Sequence, residues 1–340
     1  MRKIFIIFLL IFTLFGCSLV KLRNWPTLEQ QLIIRDKEQE NIIRRKIDGV
    51  PVQTARQANL FAVAIMIENA ADSWPQTGLD KANLVIEAIT EASIPRFVAI
   101  YANDEEIKKI GPVRSARLYY LDWIEPFVPL YMHVGGSPEA LRKIRSDEYK
   151  LIDLDQFFNA EYYWRDKWRY APHNVYTSSE LIKEAIGAKN LSVPNDFATW
   201  KYKKDLELEK RPENINDILI NYAVKFYNVR WKYNREENNY IRYQNGEIHK
   251  MSDGEWLKAK NIIVQVNEMS VLDDVGRKKI ATIGENKVLI FRDGEMVEGK
   301  WVKNNINETT KYFNNNGQEI EFNGGMTWIE IIPDIEYLRY

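Results

Sequence analysis

The sequence predicts an α+β protein, with an N-terminal mixed α/β sandwich domain followed by a mostly antiparallel β domain. Two observations carry this prediction. In the first half, short apolar runs alternate with segments of helical pattern, which is typical of strands covered by helices. After residue 218, alternating segments flank four dipeptides that favour hairpin turns, namely Asn245-Gly246, Asp253-Gly254, Asp293-Gly294 and Asn316-Gly317.

Length and composition fit a folded protein of ordinary charge. The 340 residues are 45% hydrophobic and 12% aromatic, enough for two cores and unlike a disordered chain. The 47 basic and 48 acidic residues give a formal net charge of -1. Because no overall field draws such a chain to nucleic acid, recognition of an anion would depend on a local cluster of charge.

The N-terminus has the pattern of an exported lipoprotein. Arg2-Lys3 precede an apolar stretch of about a dozen residues, the length of a signal-peptide core and too short for a membrane-spanning helix. Leu14-Phe15-Gly16-Cys17 is similar to a lipobox. We expect residues 1–16 to be a signal peptide and Cys17 to be lipidated. The protein would then be anchored on the extracytoplasmic face of the bacterial cell membrane.

Residues 17–52 are predicted to form a tether. Within it, residues 28–47 combine charged side chains with spaced isoleucines, which predicts a charged, weakly amphipathic helix ending near Gly49-Val50-Pro51. Cys17 is the only cysteine, which suits export without disulfides. Once acylated, it cannot act as a nucleophile or metal ligand.

The first domain is predicted over residues 53–187. Two helix starts carry capping signals, because Ser137 precedes Pro138 and Thr177-Ser178-Ser179-Glu180 has the capping-box pattern. Apolar runs between clusters of turn residues are the predicted strands. We expect strands at 60–67, 84–89, 96–101 and 130–134, and helices at 115–125, at 138–145 and before 187.

The second domain is predicted over residues 215–340, after a polar linker at 188–214 that contains two prolines. Its hairpin signals make it mostly antiparallel. The clearest strands lie at 240–243, 262–266, 287–291 and 327–332.

Several longer motifs, in both halves of the chain, are similar to motifs of one known family. They are Trp74-Pro75-Gln76-Thr77-Gly78-Leu79, Gly111-Pro112-Val113-Arg114-Ser115-Ala116-Arg117, His133-Val134-Gly135-Gly136-Ser137, Trp164-Arg165-Asp166, Ala171-Pro172-His173-Asn174-Val175-Tyr176-Thr177, Asp274-Val275-Gly276-Arg277, Gly299-Lys300-Trp301-Val302-Lys303 and Gly325-Met326-Thr327-Trp328-Ile329. On these motifs the chain resembles the YerB-like lipoproteins, a bacterial family of unknown function. The resemblance implies a lipoprotein with an N-terminal mixed domain and a C-terminal β domain. It implies no established reaction.

A ligand site is predicted around the two arginines that follow Gly111-Pro112. A helix start offers unpaired backbone N–H groups, and guanidinium groups supply fixed donors that stay charged. The alternative is that Arg114 and Arg117 form ion pairs with Asp122, Glu87 or Glu91. Loop residues on a rigid scaffold are further candidates. The candidate ligand-binding residues are Arg96, Arg114, Arg117, Arg165, His173, Asn174 and Trp74.

A catalytic hypothesis depends on His173 and Asp166 as general acid or base. Ser137 could complete a Ser/His/Asp set, but helix capping explains this serine and no Gly-x-Ser-x-Gly motif is present. The sequence has three widely spaced histidines and no calcium, phosphate or dinucleotide motif, so we expect neither metal nor cofactor.

The sequence therefore favours a membrane-anchored envelope lipoprotein that binds an anionic or glycan-containing ligand through its arginines. The ligand would be a cell-wall polymer or a lipid-linked precursor, and nucleic acid is not expected as a partner. Two alternatives stay open. One is an envelope hydrolase or transferase acting on peptidoglycan or another surface polymer, and the other is a protein–protein interaction module.

Overall fold

The structure, a computed structural model, describes residues 42–102, 104–191, 197–213, 215–222 and 224–340. The predicted signal peptide, Cys17 and most of the predicted tether lie outside these residues. Residues 43–340 form a single unit. None of its helices, within the described ranges, is long and apolar enough to cross a membrane.

Strands dominate the described residues. The α-helices are α1 Ala55–Ala58, α2 Leu118–Ile124, α3 Pro138–Ile144 and α4 Ser179–Ala188. The strands are β1 Val63–Ile67, β2 Leu84–Ile89, β3 Pro95–Tyr101, β4 Leu130–His133, β5 Ile152–Asp155, β6 Trp164–Arg165, β7 Val175–Tyr176, β8 Lys201–Lys203, β9 Ile218–Ile220, β10 Val229–Asn234, β11 Asn239–Gln244, β12 Glu247–Ile248, β13 Lys258–Ala259, β14 Asn261–Val266, β15 Met269–Val271, β16 Lys278–Ile280, β17 Gly284–Arg292, β18 Glu295–Lys303, β19 Lys311–Asn314, β20 Glu321–Asn323, β21 Thr327–Ile332 and β22 Leu338–Arg339.

A ten-stranded mixed sheet runs through both halves of the chain, in the order β19-β18-β17-β14-β21-β2-β3-β1-β4-β5. The halves meet where β2 pairs in parallel with β21, and Val85 lies opposite Trp328. β2 and β21 are buried along their whole lengths. Continuous apolar runs form these central strands because both faces of the sheet are covered.

Successive side chains of each central strand enter two different cores, as the two-residue period of a strand requires. Ile65 and Ile67 pack in a core shared with α4 and with the second sheet, whose order is β12-β11-β10-β9-β22. Ala64 and Met66 pack in the other core, with the aromatic residues of α2. The central sheet is therefore the middle of three layers.

The α+β fold is confirmed, with a mixed sheet to which each half contributes five strands and with antiparallel pairing prevailing in the second half. The hairpin signals also form the turns that they predict. Asn245 and Gly246 have φ of 52° and 82°, and Asp293 and Gly294 have φ of 54° and 77°. These positive φ values are the reason that such turns favour Asn, Asp and Gly.

Two predicted helices differ in the structure. The helix expected at 115–125 begins only at Leu118, because residues 113–116 are extended: Val113 and Ala116 form bridges with Ile67 and Gly136. The helix expected at 28–47 lies mostly outside the described residues. Its described end at 42–47 is not helical, and Arg44 instead bridges Pro51.

The predicted linker contains regular structure. β8 pairs in parallel with β20, so Tyr202 lies opposite Phe322. The division into domains at 53–187 and 215–340 stays a prediction, since the central sheet joins strands from both ranges.

Candidate functional site

Glu68, directly after β1, is the centre of the charged cluster. The side chain is buried, with 1% of the residue exposed. Oε1 accepts hydrogen bonds from the backbone N–H groups of Asn69 at 3.0 Å and Ala70 at 3.2 Å. Oε2 pairs with Nε of Arg114, and Nε of Arg96 lies 3.8 Å from Oε1. One carboxylate is therefore shared by two arginines.

The arginines keep Glu68 ionised despite its burial. Burial raises the pKa of the Glu68 carboxyl, but Arg96 and Arg114 lower the pKa by more, and it falls from 4.5 to about 2. At neutral pH the cluster is one anion with two cations. It therefore retains an excess positive charge.

Arg96 and Arg117 are held inside the protein. Arg96 is buried and donates from Nη1 to the carbonyl oxygen of Ser115 at 3.2 Å. Arg117 forms a bidentate pair with Glu91, with both N–O distances 2.7 Å. For Arg117, ion pairing with Glu91 was the predicted alternative to ligand binding. Arg114 pairs instead with Glu68, which was not among the expected partners.

The backbone at Arg114 is extended, and the helix begins only after Arg117, which is the N-cap residue of α2. The N–H of Arg114 donates to Met66, and the N–H of Ala116 donates to Gly135. The stretch is extended between β1 and the loop after β4, so the N–H groups of Arg114 and Ala116 are already paired before the helix begins. The expected cradle of free N–H groups beside Arg114 is therefore wrong.

A cleft of about 510 Å³ opens beside Arg114, and we call it the arginine cleft. Arg145 and Arg165 also line it. Arg145 lies over the ring of Phe158, 5.6 Å from the centroid, and Arg165 donates to Oδ1 of Asn174 at 2.8 Å. Neither forms an ion pair with any residue that the structure describes. Two guanidinium groups thus border the cleft without a carboxylate partner.

Gly135 and Asp155 shape the floor of the arginine cleft. Gly135 has a φ of +57°, and a Cβ there would lie 3.1 Å from Phe157, so a side chain would be strained and would crowd the wall. Oδ1 of Asp155 accepts the N–H of Gly135 at 2.9 Å and of Phe157 at 3.2 Å. This carboxylate joins two loops that line the cleft.

His173 and Asp166 have separate partners. Nδ1 of His173 lies 3.7 Å from Oε2 of Glu68 and makes no hydrogen bond within the described residues. Asp166 pairs with Lys109, whose hydrogen bond lowers the pKa of the aspartate. Among the described residues, no three His, Cys, Asp or Glu side chains are grouped so that they could hold a metal ion.

Trp74 and Asn174 have structural contacts. The Trp74 ring stacks on Phe226 with centroids 5.0 Å apart, and its Nε1 donates to Oδ1 of Asn69 at 2.9 Å. Oδ1 of Asn174 accepts the hydrogen bond from Arg165, and Nδ2 of Asn174 donates to the carbonyl oxygen of Arg169 at 3.3 Å. Of the seven predicted ligand-binding residues, Arg114 and Arg165 line the arginine cleft.

Sequence reasoning missed a buried network around Arg242. Its Nη2 lies 3.0 Å and 2.8 Å from the two carboxylate oxygens of Glu87, and its Nη1 donates to Nδ1 of His249 at 2.7 Å. Nε2 of His249 donates to Oε1 of Gln76 at 2.8 Å, and Gln76 donates to the carbonyl oxygen of Glu68 at 3.1 Å. The network therefore connects the second sheet to the Glu68 cluster.

The pKa values in this network follow from burial. Burial raises the pKa of Glu87 well above its usual value, although Arg242 opposes the shift. Burial, followed by the charge of Arg242, holds the pKa of His249 well below its usual value. A neutral His249 matches its one accepted and one donated hydrogen bond. The alternation of β11 offered a signal, because Tyr240, Arg242 and Gln244 all face inward.

The fold and the cleft define a class: a two-part α+β protein with one mixed sheet and an arginine-lined hollow in its N-terminal part. Residues 48–192 match the family "Protein of unknown function (DUF3048) N-terminal domain", and residues 218–329 match the corresponding C-terminal domain. The chain belongs to this DUF3048 family, which includes the YerB-like proteins.

Similarity to a Bacillus subtilis protein covers most of the chain. A relative from strain 168, "Putative lipoprotein YerB", is 29% identical over 279 residues, which are 81% of this chain and 82% of the relative. A crystal structure of YerB protein from Bacillus subtilis matches with a TM-score of 0.77 and 26% identity. That match covers 87% of this chain and 98% of the other.

Proposed function

We propose that this protein is anchored by a lipid on the extracytoplasmic face of the cell membrane and binds an anionic or glycan-containing envelope ligand in the arginine cleft. The anchor rests on the basic and apolar residues before Cys17 and on the lipoprotein name of the Bacillus relative. The binding activity rests on one observation: Arg145 and Arg165 border the arginine cleft without ion-pair partners among the described residues.

Guanidinium groups are suited to this task because they stay charged and present several donors in a fixed geometry. Arg114 adds a third, since the Glu68 cluster has two cations for one anion. A charge-assisted hydrogen bond contributes about 1.5–3 kcal/mol, so the loss of any one of these groups is large enough to measure as weaker binding. The net charge of -1 makes this attraction local.

Binding without turnover fits the side chains better than catalysis does. Asp166 is paired with Lys109 rather than with His173, so the predicted acid–base pair is not assembled. Glu68 has a pKa of about 2 and cannot donate a proton at neutral pH. We therefore place the ligand against the guanidinium groups and assign no reaction to it.

The test removes charge from the arginine cleft. In the full chain, Arg145→Gln and Arg165→Gln should each weaken binding of a soluble anionic cell-wall polysaccharide by about tenfold or more, since each loses a charge-assisted hydrogen bond. Arg142→Gln is the matched control, because Arg142 lies in the last turn of α3, close in sequence to the C-cap residue Arg145, but does not line the cleft. Isothermal titration calorimetry at low and physiological salt measures the affinities.

Equal affinity of the native protein and of a variant that combines Arg145→Gln with Arg165→Gln would overturn the proposed site. Shortening of the polysaccharide during the titration would instead favour the envelope hydrolase. A loss of affinity with Arg142→Gln equal to that with Arg145→Gln would show a diffuse charge effect, which also contradicts a site in the cleft.

A further inference from the structure

Four strongly exposed aromatic side chains occur on two loops beside the arginine cleft. Phe157 is 67% exposed, Phe158 71%, Trp168 83% and Tyr170 92%. We call them the aromatic rim. Among the large hydrophobic residues described, no other aromatic side chain is as exposed. Exposed apolar groups collected at one place, unlike single scattered ones, mark an interaction surface.

The rim borders the arginine cleft directly. Phe157 and Phe158 line it, and Tyr170 immediately precedes Ala171 and Pro172, which also line it. Phe157, Phe158 and the guanidinium groups of Arg145 and Arg165 therefore belong to one surface, and the loop that carries Trp168 and Tyr170 adjoins it. A partner of this surface must offer an apolar layer and negative charge together.

The loop that carries Trp168 and Tyr170 is fixed to the body of the protein. Arg169, between them, donates to the carbonyl oxygen of Asp72 at 2.9 Å and of Pro75 at 2.7 Å. The N–H of Trp168 donates to Oδ1 of Asp166 at 2.8 Å. The two aromatic side chains are thus held outward by a tied loop, so that little ordering is needed when they bind.

Cations already lie against two of the four rings. Nζ of Lys167 is 5.1 Å from the centroid of Trp168, and Arg145 is 5.6 Å from that of Phe158. A sugar stacks on a free ring face, whereas insertion into a membrane interface uses the whole area of the ring. Aromatic side chains beside Lys and Arg are the usual composition of interfacial contacts, where the rings enter the headgroup region and the cations meet anionic lipid.

We propose that the aromatic rim rests in the membrane interface and that the headgroup of an anionic lipid enters the arginine cleft. The inference rests on the proposed function, because it takes the cleft as the anion site, and it names the source of the anion as a lipid surface. Arg145 and Arg165 bind the headgroup, while Phe157, Phe158, Trp168 and Tyr170 occupy the apolar boundary.

The experiment measures depth of insertion with the full chain, reconstituted from detergent into vesicles whose lipids carry bromine on their acyl chains. Bromine quenches a tryptophan only in close contact. We expect stronger quenching in phosphatidylglycerol–phosphatidylcholine vesicles than in phosphatidylcholine alone, and Trp168→Phe should abolish that difference. Trp256→Phe is the matched control, because Trp256 is an exposed tryptophan outside the rim and its loss should leave the difference intact.

The role of the headgroup is tested separately. Arg145→Gln with Arg165→Gln should remove the dependence of quenching on phosphatidylglycerol. The proposal is overturned if the difference between the two lipid mixtures is absent, survives Trp168→Phe, or does not depend on these arginines. If native protein binds the soluble polysaccharide and Trp168→Phe with Tyr170→Ala weakens that binding, the rim stacks on sugars and the membrane proposal fails while the anion site stands.

Discussion

At the scale of single residues, Glu68 decides the electrostatics of the site. It neutralises part of the charge of Arg96 and Arg114 in a place where water has little access. Without this carboxylate, the buried Arg96 and the partly buried Arg114 would be like charges close together in surroundings of low polarity. The position of Arg114 at the cleft therefore depends on Glu68.

Glu68→Gln should destabilise the protein by roughly 3 kcal/mol at pH 7, because it leaves the buried Arg96 and the partly buried Arg114 uncompensated. The native pKa of about 2 lies below the ordinary 4.5, so the stabilisation is full above about pH 4.5 and is lost as pH falls toward 2. The free-energy difference between native and variant should shrink over that range. Urea denaturation at a series of pH values measures it.

The matched control for Glu68 is a carboxylate in an exposed ion pair. Glu285 pairs with Lys300 at 2.8 Å, with both side chains more than half exposed. Glu285→Gln should change the free energy of unfolding by less than about 1 kcal/mol at every pH. An equal cost for both substitutions would contradict the role given to Glu68.

At the scale of elements, two glycines differ in what surrounds them. Gly187 is in α4, where an added Cβ would meet nothing within 4 Å. Gly299 is in β18, where an added Cβ would overlap the carbonyl oxygen of Phe313 in the neighbouring β19. A side chain therefore fits at position 187 in α4, whereas the pairing of β18 with β19 leaves no room for one at position 299.

Gly187→Ala should raise the free energy of unfolding by about 0.5–1 kcal/mol, because alanine restricts the unfolded chain and favours a helix. Gly299→Ala should lower it, since β18 and β19 must separate to admit the methyl group. Thermal unfolding followed by circular dichroism compares the two variants. If Gly299→Ala instead raised the free energy of unfolding, β18 and β19 would be able to separate without loss of stability, contrary to this prediction.

At the scale of the whole described unit, the two halves share backbone pairing and a buried ion pair. β2 and β21 lie side by side at the centre of the large sheet. Arg242 of the second half pairs with Glu87 of the first, and both side chains are fully buried. Removing one partner of such a pair leaves the other charge or polar group without compensation.

Arg242→Ala should lower the free energy of unfolding by roughly 3–5 kcal/mol. Because the central sheet is continuous, tryptophan fluorescence and far-ultraviolet circular dichroism should still report one coincident transition in the native protein. Two separate transitions would contradict this coupling. Arg230→Ala is the control: Arg230, on neighbouring β10, lies 3.5 Å from Asp217 in a partly exposed pair, and its loss should cost less than about 1 kcal/mol.

The sequence by itself determined the elements whose causes are local. Apolar runs located β1, β2, β3 and β4, capping serines located the starts of α3 and α4, and Asn-Gly and Asp-Gly dipeptides located the hairpins. Each of these signals acts within a few residues, through burial, side-chain caps or backbone φ.

Only the tertiary structure decided which charges meet. Glu68 and Arg114 are 46 positions apart and Glu87 and Arg242 are 155 apart, so sequence spacing could not pair them. The same holds for the single sheet that joins both halves and for the position of Arg145 at the cleft. Ion pairs depend on distances in space, and those distances arise only when the strands have packed.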